Sequence, residues 1–284
     1  MSDIVVTYGL NLAYQLVVLA LLVLGLALVF GLLGVMNMAH GEFVMLGAYA
    51  VVTVQRAGLS IGWGLPLAIV VCAAVGWLAE RLLIRPLAAR PFDTLLATWG
   101  LGILLRKAVE AVHGRGFQNI DHGMDGLTSV FGVAYPSYRL GLMVMVVFSM
   151  LALGLWFKRS SAGARVRAMV SNPALAESLG LDTQRLATTT FVIGVVCAGI
   201  AGALLAPLSR IEPGMGMDAL LSSFFVLVVG GMGSISGLWA GSAVIGGTQV
   251  AVGSLLDQTQ GYVAMLLISI YFLWRKPQGL VARG

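Results

Sequence analysis

Long apolar runs separated by short polar stretches fill the chain from one end to the other. A run of about 20 apolar residues is long enough for a helix to cross a bilayer. The pattern predicts nine hydrophobic helical segments, at residues 10–33, 42–55, 62–84, 93–112, 138–157, 186–208, 219–230, 238–255 and 261–274. Segments 42–55 and 219–230 are short for a full crossing, which is typical of half-inserted helices. We therefore predict an all-α, polytopic membrane protein with about eight or nine transmembrane or half-inserted helices.

A cluster of polar residues interrupts the apolar sequence after residue 33. Polar groups at that depth are costly in hydrocarbon unless they face protein or a water-filled path. We interpret the interruption as a broken segment that lines a transport pathway; a polar turn at the membrane surface is the alternative. His40 could instead bind a backbone carbonyl, and Glu42 could cap the helix that follows. The candidate pathway residues are Asn37, His40, Glu42, Thr94 and Thr98.

Glycine-containing motifs recur in the two halves of the chain. Met36-x4-Gly41-x-Phe43 and Met232-x4-Gly237-x-Trp239 share their spacing. Short, Gly-interrupted segments at corresponding positions indicate a transporter built from two repeats, although a chance match is the alternative in a chain with 37 glycines. The predicted helix breaks lie at Gly41, Gly230, Gly231, Gly233 and Gly237. A spacing of four residues also predicts close helix packing at Gly194, Ala198 and Gly202.

The composition excludes a large soluble domain. Of the 284 residues, 59% are hydrophobic and 10% are charged, whereas a soluble domain is about 45–50% apolar and about 25% charged. We predict a single transmembrane domain over residues 1–284 and no enzyme activity, and hence no catalytic residues. Cys72 and Cys197 lie in separate apolar segments, so neither a disulfide nor a metal site is expected. Residues 114–137, the longest stretch without an apolar run, are expected to form an external loop.

The basic residues indicate the orientation in the membrane. Segments 81–90, 158–185 and 275–284 hold 11 of the 17 lysines and arginines. Cytoplasmic loops carry such an excess, so the N-terminus is expected outside and the C-terminus inside. This distribution accounts for the basic charge without nucleic acid as a partner. Arg106 and Lys107, near the predicted external end of their segment, do not fit the pattern.

The predicted cytoplasmic loop 158–185 contains a short helix with well-defined ends. Asn172 is a good N-cap, Pro173 suits the first helical position, and Gly180 suits a C-terminal stop. Such a short helix needs a surface to pack on. We interpret it as a docking site for a soluble subunit, with packing on the protein's own cytoplasmic face as an equal alternative. Its residues of interest are Asn172, Pro173, Leu175, Glu177, Leu179 and Gly180.

Three separated motifs resemble one family of transport proteins. They are the run at 34–43 with Asn37 and His40, the loop at 167–182 with Asn172 and Gly180, and the glycine-rich run at 228–237. In this order they resemble the LivH/LivM permeases of ABC importers for branched-chain and other hydrophobic amino acids, and they are closer to the LivH branch. The resemblance covers nearly the whole chain.

The resemblance implies a division of labour among several proteins. A periplasmic binding protein would deliver the substrate, and this chain with a second related permease would form the path through the lipid of the bacterial inner membrane. Two cytoplasmic ATPases would push the coupling helix within residues 172–182. The chain has no G-x-x-x-x-G-K-[ST] phosphate loop, so we expect no cofactor here and ATP to be bound by the partner subunits.

Three alternatives remain open from the sequence. Residues 93–100 resemble those of family members that transport urea and short amides. An ion-coupled secondary transporter or channel would also have broken helices, with Glu42 and Glu110 as candidate coupling acids. An intramembrane enzyme is disfavoured because His40 and Glu42 lack the H-E-x-x-H spacing of metal-binding helices.

Overall fold

The structure, a computed structural model, describes residues 2–88, 90–120, 126–231, 235–276 and 278–281. It is almost entirely helical in these ranges. In chain order the helices are α1 (Ser2–Leu33), α2 (His40–Arg56), α3 (Gly64–Ala79), α4 (Arg85–Leu87), α5 (Pro91–His113), α6 (Ser137–Arg159), α7 (Ser161–Ser171), α8 (Pro173–Ser178), α9 (Thr183–Leu205), α10 (Met215–Gly230), α11 (Ile235–Leu255) and α12 (Gln258–Arg275). A π-helical turn at Glu80–Ile84 joins α3 to α4.

Each of the nine predicted hydrophobic segments contains one long helix, which confirms the polytopic all-α class. Five stretches of the described chain are long and apolar enough to cross a membrane: Asp3–Leu33, Ile61–Leu87, Ser137–Arg159, Thr183–Leu208 and Ser236–Leu255. The predicted count of eight or nine is therefore not confirmed. The other four helices fall short for identifiable reasons. Helices α2 and α10 have 17 and 16 residues, α5 carries several charges, and α12 has only 18 residues, with polar residues at both ends.

The first helix break lies before the predicted position. Helix α1 ends at Leu33, where Gly34 takes a positive φ of 68°, and α2 begins at His40. The prediction that Gly41 breaks the helix is wrong, because Gly41 lies in the first turn of α2. A side chain there would collide with the backbone of Gly216. Glycine at this position permits close packing and does not interrupt the helix.

The second break is shorter than predicted. Gly231 follows the last residue of α10 with a φ of +98°, which most residues other than glycine avoid. Gly230 and Gly237 lie within α10 and α11, so their prediction as helix breaks is wrong. A side chain on Gly230 would collide with the Gly237 carbonyl, so both serve the contact between the two helices. Gly233, like Met232, lies outside the described residues, and the internal repeat stays a prediction.

The predicted external loop contains regular structure. Strands β1 (Leu127–Val130) and β2 (Val133–Pro136) pair in antiparallel register. Phe131 and Gly132 both take positive φ values at the turn, as a two-residue hairpin requires. The sequence analysis missed this hairpin because its strands have only four residues each and lie next to an apolar helix.

The chain divides into two compact units. The first contains Met1–Val23, His122–Gly154 and Ser223–Gly284, and the second contains Leu24–Asp121 and Leu155–Ser222. In the first unit, α11 packs against α12 where Gly253 and Gly261 meet. Gln15 donates a hydrogen bond to Gln249 at 2.9 Å, which links α1 to α11. The C-terminal segment returns to α10 through a 2.9 Å bond from the Leu280 amide to the Val229 carbonyl.

In the second unit, α2, α3 and α9 each pack against the other two. Thirteen of the 17 residues of α2 are buried, so this helix is enclosed by protein and its length need not match the bilayer. Close approach to α9 depends on small residues, since a side chain on Gly202 would collide with Val44 and one on Gly194 with Val29. The predicted close packing along this face of α9 is confirmed. The same unit holds Cys72 as a buried free thiol, and Cys197 is also unbonded.

Candidate functional site

The polar interruption is buried inside the second unit. Asn37, His40 and Glu42 are 2%, 0% and 4% exposed, although two of them precede or begin α2. Asn37 accepts a hydrogen bond from the Ala39 amide at 3.1 Å and so shapes the turn that leads into the helix. Its Nδ2 has no hydrogen-bond partner among the described residues. A buried donor without a partner is costly, so this amide retains the capacity to donate a hydrogen bond.

Glu42 is held by an arginine from another helix. Nη2 of Arg106 on α5 lies 2.5 Å from Oε1 of Glu42. The other carboxylate oxygen has no hydrogen-bond partner in the described part of the chain and lies against Gly216 in the first turn of α10. Glu42 therefore connects α2 to α5 and approaches the positive N-terminal end of α10. Removal of either charge would leave the other buried without its partner, which is costly.

Thr98 holds the chain segment between α1 and α2. Its hydroxyl accepts a hydrogen bond from the Met38 amide at 3.1 Å and lies 3.0 Å from the Leu95 carbonyl. It is fully buried. Thr98 therefore belongs to the same cluster as Asn37. A direct contact of its hydroxyl with solute stays a prediction.

Thr94 lies apart from this cluster. Its hydroxyl donates to the carbonyls of Leu87 at 2.8 Å and Arg90 at 3.1 Å. These bonds fasten the start of α5 to the turn that precedes it. The structure thus groups Thr98, but not Thr94, with the polar residues of the break.

The loop predicted to contact a soluble subunit forms two consecutive helices, α7 and α8. Asn172 caps α8 as predicted, with Oδ1 accepting from the Leu175 amide at 3.0 Å. Pro173 occupies the first position of α8, and Gly180 has a φ of +81° just beyond its end. The preceding helix α7 was not predicted, because residues 161–171 are short and largely polar, although Val166 and Met169 are buried at helical spacing.

One face of α8 is packed and the other is open. Ala176 is 2% exposed, whereas Leu175 and Leu179 are 55% and 73% exposed. Glu177 accepts a 2.5 Å hydrogen bond from Thr183, the first residue of α9. One face of α8 thus packs on its own chain, and Leu175 together with Leu179, the residue that follows the helix, is exposed; docking of a soluble subunit stays a prediction. The Glu177–Thr183 hydrogen bond links α8 to α9.

Sequence reasoning missed the partnership of Arg106 with Glu42. Arg106 was noted only as a basic residue in an unexpected place. The signal available was an acid at the start of one apolar segment and a basic residue well inside another, since charges within a membrane usually pair with one another. In the described part of the chain, no group of three His, Cys, Asp or Glu residues is arranged to bind a metal.

Comparison with known proteins assigns the family. The family model described as "Branched-chain amino acid transport system / permease component" matches residues 8–274. The LivH permease protein of the high-affinity branched-chain amino acid transport system of Escherichia coli K12 is 29% identical over 280 residues, which cover 93% of this chain and 91% of LivH. The corresponding BraD of Pseudomonas aeruginosa is 30% identical over 284 residues, with the same coverage. LivM of Salmonella typhimurium LT2 is 28% identical over 303 residues, 95% of this chain and 69% of LivM.

The apolar helices and the family match together make this chain a multi-pass inner-membrane permease. This chain belongs to the branched-chain amino acid transport system permease family. The predicted resemblance to LivH is confirmed, since relatives of this type align over nine-tenths of their own length. The family consists of transport components, which agrees with the prediction that the chain is not an enzyme. No solved structure matches the chain.

Proposed function

We propose that this chain is the membrane-spanning permease subunit of an ABC importer for branched-chain or other hydrophobic amino acids. The family match over residues 8–274 is the observation that carries this proposal. The relatives described above are each named for branched-chain amino acid transport. None of them is named for urea, so the amino-acid substrate is the one we propose.

The importer would contain several further subunits. LivH-type and LivM-type relatives both match the chain, which supports a second, related permease beside this one. Selection by a periplasmic binding protein and energy from two cytoplasmic ATPases complete the proposed complex. ATP would bind to those ATPases, since this chain lacks a phosphate-binding loop.

The solute would pass the break between α1 and α2. Asn37 supplies an amide donor, and His40 and Thr98 add polar groups to an otherwise apolar surround. Glu42 would keep the break in place through Arg106 and need not contact the solute. Hydrogen bonds from neutral groups suit an amino-acid backbone, while apolar neighbours suit its side chain.

Force from the ATPases would enter at α8. Leu175 and Leu179 would bind an apolar cleft of an ATPase, and the Glu177–Thr183 bond would pass the movement to α9. Glycines along α9 pack directly on α2, so a sliding motion of α9 would reach the helix that carries His40 and Glu42. This chain of contacts joins the cytoplasmic loop to the polar break within one unit.

The test is uptake by the reconstituted importer. The chain is placed in proteoliposomes with its second permease and ATPases, binding protein is added outside, and radiolabelled leucine or urea is supplied. We expect leucine to accumulate only with ATP inside, and an excess of unlabelled urea to leave leucine uptake unchanged. Urea accumulation without leucine accumulation would contradict the proposed substrate. Uptake driven by an ion gradient without ATP would contradict the importer class.

A further inference from the structure

A polar groove lies at the end of α3, on the side where α9 begins. It has a volume of about 790 Å³ and is open at the protein surface. Its charged lining comes from the π-helical turn, from Arg85 of α4 and from the start of α9. Thr188 and Thr189 add hydroxyl groups, and Trp77 and Ile193 belong to its apolar part. The groove is separate from the polar break and from the exposed leucines of α8.

Glu80 is the unusual member of this groove. It lines the groove yet is only 6% exposed. Its carboxylate makes no hydrogen bond or ion pair with the described residues, and its oxygens are not enclosed by protein, so they face the groove and can accept hydrogen bonds from a ligand. Glu80 also begins the π-helical turn, a rare form that is frequent at functional sites.

The neighbouring arginines do not neutralise Glu80. The guanidinium of Arg81 lies over the Trp77 ring, 5.2 Å from its centroid. Arg85 donates to the neutral amide of Gln184. Arg185 is already paired with Asp182 at 2.8 Å. The groove thus presents an acid that lacks a cation next to two arginines that, in the described part of the chain, lack an anion.

The position of the groove along α3 matches the membrane surface. Nineteen residues separate Ile61, where this span begins, from Glu80, which places the carboxylate about 28 Å along the helix axis. The hydrocarbon core of a bilayer is about 30 Å thick. Trp77 is 45% exposed and Ile193 is 39% exposed, and tryptophan is typical of the interface between lipid tails and head groups.

We propose that this groove binds the head group of phosphatidylethanolamine. The lipid phosphate would bind Arg81 and Arg85, and the primary ammonium would donate hydrogen bonds to Glu80. A zwitterionic head group supplies the missing cation and the missing anion at once, which a purely anionic lipid does not. The acyl chains would lie against the exposed apolar surface of α3 and α9, next to Trp77 and Ile193.

Native mass spectrometry of the full chain in detergent tests the proposal directly. Dioleoyl phosphatidylethanolamine, its mono- and dimethylated forms, phosphatidylcholine and phosphatidylglycerol are titrated separately, and apparent dissociation constants are measured. Successive methylation removes the ammonium donors and leaves the phosphate unchanged. A charge-assisted hydrogen bond corresponds to about tenfold in affinity. We expect phosphatidylethanolamine to bind about tenfold more tightly than phosphatidylcholine, with the methylated forms in between.

Variants assign the preference to the groove. Glu80→Gln should remove the difference between phosphatidylethanolamine and phosphatidylcholine, whereas Arg81→Gln should weaken both. Arg275→Gln is the matched control, since Arg275 ends α12 beside the exposed Trp274 and should leave all affinities unchanged. The methylation series needs no variant, so it still decides the matter if Glu80→Gln fails to fold.

Several results would overturn the proposal. Equal affinities across the methylation series would show that Glu80 does not contact the ammonium. Tightest binding of phosphatidylglycerol, unaffected by Glu80→Gln, would indicate attraction to the general positive surface. Loss of ATPase binding by Arg81→Gln with unchanged lipid affinities would show that the groove binds protein. The lipid affinities are measured on the chain without its partner subunits and without transport, so they can fail while the transport proposal holds.

Discussion

Arg106 on α5 and Glu42 on α2 form an ion pair of 2.5 Å, although the two residues lie 64 positions apart in the sequence. The side chains are 28% and 5% exposed, so the acid is enclosed while the guanidinium retains some access. The pair fixes the start of α2 against α5 and thereby fixes the polar break that precedes it. Its charges therefore maintain the geometry of the proposed pathway.

The first prediction concerns the energy of this pair. Arg106→Gln leaves Glu42 buried without its partner, and we expect a loss of about 3 kcal/mol in stability, the lower end of the range for buried pairs. Thermal unfolding of the purified chain in detergent measures it. The double variant Glu42→Gln/Arg106→Gln should recover most of the loss, because neither charge remains.

Lys107→Gln is the control for charge removal on α5. Lys107 pairs with Glu110 at 2.7 Å but its side chain is 58% exposed, so its loss should cost less than about 1 kcal/mol. Equal effects of Arg106→Gln and Lys107→Gln would show that burial of the Glu42 pair has no energetic consequence.

The second prediction concerns the contact between α2 and α9. A side chain on Gly47 would meet the backbone of Gly199, and backbone cannot yield as a flexible side chain does. Gly47→Ala should therefore destabilise the chain by about 1–3 kcal/mol, the usual cost of overpacking. The change is measured from the unfolding midpoint in detergent.

Gly100→Ala provides the matched comparison for this substitution. Gly100 lies within α5 with nothing within 4 Å of an added methyl group. Alanine is the better helix former by about 1 kcal/mol, so this variant should be as stable as the natural protein or slightly more so. Similar destabilisation by both variants would contradict the importance of the α2–α9 contact.

The third prediction concerns coupling to the ATPases. Replacing Leu175 and Leu179 by aspartate places charges on the exposed pair of α8. We expect ATP hydrolysis by the reconstituted importer to continue while leucine uptake falls to background, because an apolar contact has been lost and the fold has not. The measured quantity is the ratio of leucine imported to ATP hydrolysed.

Leu256→Asp controls for adding an acid at an exposed leucine. Leu256 is 71% exposed between α11 and α12. This variant should preserve the ratio of uptake to hydrolysis. Undiminished uptake by the Leu175→Asp/Leu179→Asp variant would remove α8 from the proposed mechanism.

The fourth prediction concerns the polar break. Asn37→Ala and His40→Ala should each lower leucine uptake while subunit assembly and binding-protein affinity stay intact. Loss of one hydrogen bond to the solute corresponds to about tenfold in rate. Asn11→Ala is the control, since Oδ1 of Asn11 accepts a hydrogen bond from the Tyr135 hydroxyl at 3.2 Å. If Asn37→Ala and His40→Ala both take up leucine as fast as the natural protein, these residues do not belong to the pathway.

The ends of α8 show which features can be predicted from neighbouring residues alone. Asn172, Pro173 and Gly180 act within a few residues of one another, so their preferences alone predict where this helix starts and stops. The same holds for the nine hydrophobic segments, because burial in lipid demands length and apolar character that are written in consecutive residues. The family could likewise be inferred from three local motifs.

Contacts between residues that are distant in sequence could be recognised only in the tertiary structure. The glycines at 41, 230 and 237 were predicted to break helices, yet they allow helices to meet, since glycine permits both roles and only packing selects one. Arg106 appeared misplaced until the fold brought Glu42 to it. The sequence by itself determined the helices and the class of protein because those depend on neighbouring residues, whereas the tertiary structure decided which buried charges and glycines face one another.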